Sequence, residues 1–128
     1  QERVGYVSSY VQPGAQNSAK VFDGPLSGMD TSMWTTHPGS KNGYVYRDLY
    51  LRQRLNNALE MTPPEEVTRW DYHNVTYDLE VNTHPYRVKM TGETCRDALI
   101  IRRAPKRIQR TRGLFCKMHN GTDWRLLK

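Results

Sequence analysis

A change of hydrophobic period near the middle of the chain limits its fold more than any other feature. Between Arg47 and Glu60, Leu51, Leu55, Ala58 and Leu59 recur at i, i+4, i+7 and i+8 and so share one face of a helix. Asp48 stands near its start, and Pro63-Pro64 stops it. From Thr68 onward the period becomes two. Tyr77, Leu79 and Val81 alternate with Asp78 and Glu80, and Tyr86, Val88 and Met90 alternate with Arg87 and Lys89, the pattern of half-buried strands. Asn82-Thr83-His84-Pro85 reads as the turn between them. Further strands are expected over Cys95 to Ile101, Thr111 to Lys117 and Trp124 to Leu127, with turns at Thr91-Gly92 and Asn120-Gly121. The expected fold is α+β: one helix on a small antiparallel meander of four or five strands.

Residues 1–43 read differently. Gln12-Pro13-Gly14, Asp23-Gly24-Pro25, His37-Pro38-Gly39 and Asn42-Gly43 punctuate them into a long irregular N-terminal arm, with room for one or two edge strands near Val4 to Val11 and Val21-Phe22. The expected organisation is this arm followed by a small domain over 44–128, which is all that 128 residues can hold. Apolar residues are 37% of the chain, so the core must be small. Eight Tyr and three Trp against two Phe suit wet contact surfaces better than a dry interior. No window approaches the roughly 18 apolar residues of a membrane span, and an N-terminal Gln agrees with a processed product.

Chemistry-bearing patterns are few. No Gly-x-Ser-x-Gly, Gly-x-Gly-x-x-Gly, His-Glu-x-x-His or phosphate-cradling loop occurs, so no enzymatic role and no cofactor are expected. Cys95 and Cys116 belong to adjacent predicted strands, and a bond between them is geometrically reasonable; two reduced cysteines of a cytosolic protein are the alternative. Cys116-x-x-His119 has the spacing of metal ligands, and Cys95 with His84 or His73 could complete four, but Cys95 lacks a close-spaced second ligand and no metal is expected.

Net charge is +6 and favours acidic partners. Arg102, Arg103, Lys106, Arg107, Arg110 and Arg112 place six cations in eleven residues with no acid among them. Pro105 excludes a continuous helix, so the run is a strand end, a turn and the next strand start. It can grip lipid or nucleic-acid phosphates, or simply be a solvated hairpin tip kept basic against edge pairing. Nucleic acid is disfavoured as a partner because no aromatics interleave with the cations, and a small basic nucleic-acid-binding module is kept as the alternative function. Asn74-Val75-Thr76 and Asn120-Gly121-Thr122 also fit the N-glycosylation pattern of a secreted protein.

Read together, Ala58-Leu59-Glu60, Thr62-Pro63, Trp70, Cys95-Arg96, Gly113, Cys116-Lys117 and Gly121 with Asp123-Trp124-Arg125 resemble the seventeen-kilodalton surface antigen family of bacterial envelope proteins. The resemblance covers roughly residues 55–127. The lipid-attachment Cys and glycine-rich stretch common in that family are not in this sequence. The resemblance implies a Cys95–Cys116 disulfide, packing roles for Trp70 and Trp124, and a periplasmic or outer-membrane-associated location. The expected function is a non-enzymatic structural or interaction subunit of the bacterial cell envelope, such as an accessory component of an outer-membrane secretion-system core. Its expected partners are other subunits of that assembly and outer-membrane lipid headgroups.

Overall fold

The computed structural model describes residues 20–22, 30, 32–37 and 43–127. The stretch before Lys20, with the expected strand near Val4 to Val11, lies outside the described residues. The described strands are β1 (Lys20–Phe22), β2 (Trp34–Thr36), β3 (Tyr44–Tyr46), β4 (Glu66–Tyr72), β5 (Val75–Val81), β6 (Tyr86–Val88), β7 (Glu93–Ala104), β8 (Arg107–Met118) and β9 (Arg125–Leu126), with one helix, α1 (Leu49–Met61), between β3 and β4. All nine strands belong to one sheet, in the order β2-β3-β9-β8-β7-β5-β4, with β6 added beside β7 and β1 beside β8. Eight of them pair antiparallel, and only β1 runs parallel to its neighbour.

This corrects the expected meander of four or five strands. The periodic segments are present, but β7 and β8 are 12 residues each and extend through the basic run, and β4 adds another strand. β9 falls within the strand expected over Trp124 to Leu127 and β1 at the edge strand allowed near Val21-Phe22, whereas β2 and β3, three residues each, are too short for alternation to register and pair with each other, β3 also reaching β9. β2 comes from the N-terminal stretch read as irregular, at a place where no strand was expected.

The helix forms as its stripe requires. Asp48 caps it, its carboxylate accepting from the backbone N–H groups of Tyr50 and Leu51 at 2.9 and 3.1 Å. Leu51, Leu55, Ala58 and Leu59 are all buried. They pack against Leu79, Val81, Ala98, Ile100, Phe115 and Leu126, with Trp70 and Trp124 in the same core. At the helix end, Thr62 is extended ahead of the prolines. Here Arg96, 1% exposed, reaches across from β7. Its guanidinium donates to the carbonyls of Leu59 at 2.8 Å and Thr62 at 2.5 Å, acceptors that a helix terminus leaves open, and to that of Thr83 between β5 and β6 at 2.9 Å. Burial pulls the Arg96 pKa below its ordinary value, opposed by the charge of Glu60.

Two tight turns organise the long strands. Tyr72 pairs with Val75, so His73 and Asn74 alone make the β4–β5 turn, both with positive φ (51° and 65°), as a two-residue hairpin of matching twist demands. Ala104 pairs with Arg107, leaving Pro105 and Lys106 to reverse the chain between β7 and β8.

Candidate functional site

Alternation along β7 and β8 decides where the site residues lie. Residues directly opposite each other in a ladder share a face. Arg102 pairs with Gln109 and with Tyr77, which places it on the side that α1 covers, where it donates to the Gln109 side-chain oxygen at 3.0 Å. Arg103, Arg110 and Arg112 point to the other side, beside Ile108, Ile101 and Leu99 in the register. Arg103 and Arg69 both bind the carboxylate of Asp78, a side chain only 3% exposed. Arg110 is buried, and desolvation together with the like charge of Arg103 lowers its pKa, opposed by Glu80. Lys106 and Arg107 alone stand exposed at the turn. The six cations are therefore not brought together as one surface. Strand pairing divides them between two faces and a tip.

Cys95 and Cys116 are directly opposite in β7 and β8 and are joined by a disulfide, each sulfur-bearing residue 1% exposed. Glu93 brings a carboxylate within reach of both sulfurs, a grouping that spacing alone could mistake for a metal site. With the sulfurs bonded to each other, no thiolate is available to ligate. Among the described residues no histidine joins this group; His119 faces Thr94, with Nδ1 3.1 Å from the hydroxyl. Trp70 stacks on Tyr77 with centroids 5.6 Å apart beneath the Arg54 guanidinium, and Trp124 lies under the Lys117 ammonium at 5.4 Å.

A constellation that sequence reading missed centres on Asp123. Arg52 donates to it twice, at 3.1 and 2.5 Å, Asn56 once at 3.0 Å, and His37 Nε2 lies 2.9 Å from the second oxygen. An ionised carboxylate only accepts, so the Nε2 nitrogen of His37 carries the proton, while its buried Nδ1 has no partner among the described residues. Burial pushes the Asp123 pKa up, but hydrogen bonds from Arg52 and Asn56, the Arg52 charge and the His37 bond outweigh it and hold the carboxyl at about 2. No family model matches this chain, no curated protein matches it and no solved structure matches it. Beside the constellation an open groove of about 230 Å³ is lined by His37, Glu93, Met118, Gly121, Thr122, Asp123 and Arg125. Its two carboxylates are already paired, Asp123 as above and Glu93 with Arg125 at 2.6 Å. A His–carboxylate pair resembles half of a catalytic relay, and here Arg52 and Asn56 tie Asp123 to the helix. This arrangement fastens three distant pieces of chain together: the end of β2, α1 and the approach to β9. Its partners lie 67 to 86 residues from Asp123 in sequence, so no local spacing could reveal it.

Proposed function

We propose that the chain is a non-enzymatic structural or interaction subunit of an oxidising, extracytoplasmic compartment, the bacterial cell envelope. The buried bond between Cys95 and Cys116 carries this reading, because such bonds persist where thiols are not kept reduced. The engagement of these charges supports a structural role: buried Asp78 with two arginines, buried Arg96 with three carbonyls, and half-buried Asp123 with the helix and with His37 just after β2. Each of these groups serves to hold one element to another. The likeness to the seventeen-kilodalton surface antigens, through Cys95-Arg96, Cys116-Lys117 and Asp123-Trp124-Arg125, supplies the envelope and a place in a multi-subunit assembly such as a secretion-system core. Among the described residues no helix is long and apolar enough to cross a membrane.

The test is alkylation of the native protein with a maleimide before and after reductant. The expected result is no modification of either cysteine until the disulfide is reduced, together with co-purification of the chain with envelope subunits after mild cross-linking. Ready labelling of both thiols in unreduced native material overturns the compartment and the scaffold role with it.

A further inference from the structure

The β7–β8 hairpin has two ends, and β7 alone, at 12 residues, separates them by about 40 Å at the usual rise of a strand. At one end is the Pro105-Lys106 turn, where Ile108 is the exposed apolar side chain. The other end is built differently. There the β6–β7 turn runs from Lys89 to Gly92 and is closed by the Gly92 N–H donating to the Val88 carbonyl at 2.8 Å and by the Glu93 N–H donating to the Thr91 hydroxyl at 3.2 Å. Gly92 has φ of 75°, a conformation that suits glycine. The turn holds Met90 at 96% exposure, almost wholly in solvent.

Behind Met90 the register arranges an apolar face. Val88, Glu93 and Met118 form one row across β6, β7 and β8, and Tyr86, Cys95 and Cys116 form the next. Tyr86 and Met118 are exposed, 44% and 62%, and the disulfide is the floor beneath them. The carboxylate in the first row, Glu93, is neutralised by Arg125. Two other acids stand near this face: Asp123 shares the groove beside Met118 and is engaged by Arg52, and Asp97 lies on the Tyr86 side, a row further from the tip, where its charge adds to burial in raising the Tyr86 pKa. Arg87 and Lys89 are exposed, and neither makes a hydrogen bond or ion pair with a described residue.

A protruding methionine, a half-exposed tyrosine and two long cationic side chains around a rigid turn match the layering of a lipid interface. Apolar groups enter the acyl boundary, the amphipathic ring stays at headgroup depth, and Arg and Lys stems lie along the boundary with their charges on phosphates. We propose that this tip, Tyr86 to Met90 with Met118, docks on the surface of an anionic lipid bilayer. The proposal rests on the envelope reading above for a membrane to meet, and moves the lipid contact away from the Arg102 to Arg112 run to the opposite end of the hairpin.

Sedimentation of the disulfide-intact full chain with phosphatidylglycerol and with phosphatidylcholine vesicles tests it. Binding to the anionic vesicles at low salt, weakening as salt rises, is expected, with little binding to the neutral ones. Replacing Arg87 and Lys89 together with Gln lowers anionic-vesicle partitioning about 25-fold, roughly fivefold per cation, and Met90→Ser lowers it about tenfold. Replacing Lys106 and Arg107 with Gln leaves it unchanged. No binding to phosphatidylglycerol at low salt, equal binding to both vesicles, or loss on changing Lys106 and Arg107 while the Arg87 and Lys89 variant still binds, each overturns the proposal.

A readout on the unsubstituted chain removes dependence on variant folding. Bound anionic vesicles should protect Met90 and Met118 from peroxide oxidation while leaving Met61, exposed on α1, as reactive as before. Oxidation of Met90 at an unchanged rate in vesicle-bound protein overturns the assignment. Vesicle binding absent with thiols still locked removes the lipid contact alone; free thiols with vesicle binding intact remove the compartment reading alone.

Discussion

On the side of the sheet that α1 covers, β5, β7 and β8 present Leu79, Val81, Ala98, Ile100 and Phe115, an apolar layer pinned at one edge by Arg96. On the other side the same strands present Asp78, Glu80, Arg103 and Arg110 among Leu99, Ile101 and the disulfide, and these residues too are buried or half-buried. Cys95 and Arg96, consecutive in β7, mark the contrast. One forms a covalent bond to the next strand, and the other hydrogen-bonds to the end of the helix. Equal burial therefore does not imply equal chemistry. The helix face gains stability by removing apolar area from water. The other face must compensate desolvated charge with partners, so it tolerates paired replacement better than single deletion.

The contrast can be broken most sharply at Arg96. Arg96→Met keeps much of the volume but strips three carbonyls of their donor in a buried setting, and we expect a loss of about 4 kcal/mol, read as the shift in urea midpoint. A cost below about 1 kcal/mol would show that water reaches those carbonyls and that the helix end is held by its side chains alone. Next in size is the covalent lock on the other face. The double change Cys95→Ala with Cys116→Ala should cost about 3 kcal/mol by the chain-entropy account for a loop of this length, measured against the oxidised parent. The parent under reductant should reproduce most of that loss; if it stays as stable as when oxidised, the bond contributes little beyond the packing of its sulfurs.

Asp78 sharpens the comparison from the ionic side. Asp78→Ala abandons Arg69 and Arg103, and because both arginines retain partial access to water the expected cost, about 2 kcal/mol, is below that of a fully buried pair. Replacing all three, Asp78→Leu with Arg69→Met and Arg103→Met, should recover most of the loss. On the helix face the equivalent strategy has nothing to recover, since Leu59→Ala removes only apolar volume. Failure of the triple change to improve on the single one would mean that these charges specify the packing of β4, β5 and β7 as well as cancel one another.

How far each face could be read in advance follows from the range of its interactions. The helix was legible because Leu51, Leu55, Ala58 and Leu59 lie within three turns, and all four are buried. The disulfide was legible because both cysteines fall on long, alternating strands. The Pro105 turn was legible, but the arginines around it were not: a basic run reads as one patch in sequence, whereas a period of two sends Arg102 to one face and Arg103, Arg110 and Arg112 to the other. The short strands β2 and β3 were missed because their stability comes from contacts across the chain such as Trp34 stacking on Tyr46, centroids 4.3 Å apart. Sequence reading placed His37 only in a turn signal, and the folded chain alone brings it to Asp123, 86 residues away.

That pair yields the smallest expected effect and a test with a defined sign. Asp123 has its folded pKa depressed to about 2, below the ordinary carboxyl value near 3.8. Its contribution is therefore fully present above about pH 4 and is lost as pH falls through 2, where the carboxyl becomes protonated in the folded state as it already is in the unfolded one. The carboxylate is 39% exposed, so solvent screening reduces the benefit implied by the shift to about 1 kcal/mol. Asp123→Asn should accordingly be less stable by that amount at pH 5 to 7, and the gap should close between pH 4 and pH 2 in parallel acid titrations. A gap that persists unchanged at pH 2 would assign the loss to broken hydrogen bonds with Arg52 and Asn56, because only the charged component of the interaction vanishes on protonation. Comparing His37→Gln over the same range separates the contacts further: an amide nitrogen can still donate to the carboxylate, so that variant should retain most of the acid-sensitive component while Asp123→Asn loses all of it.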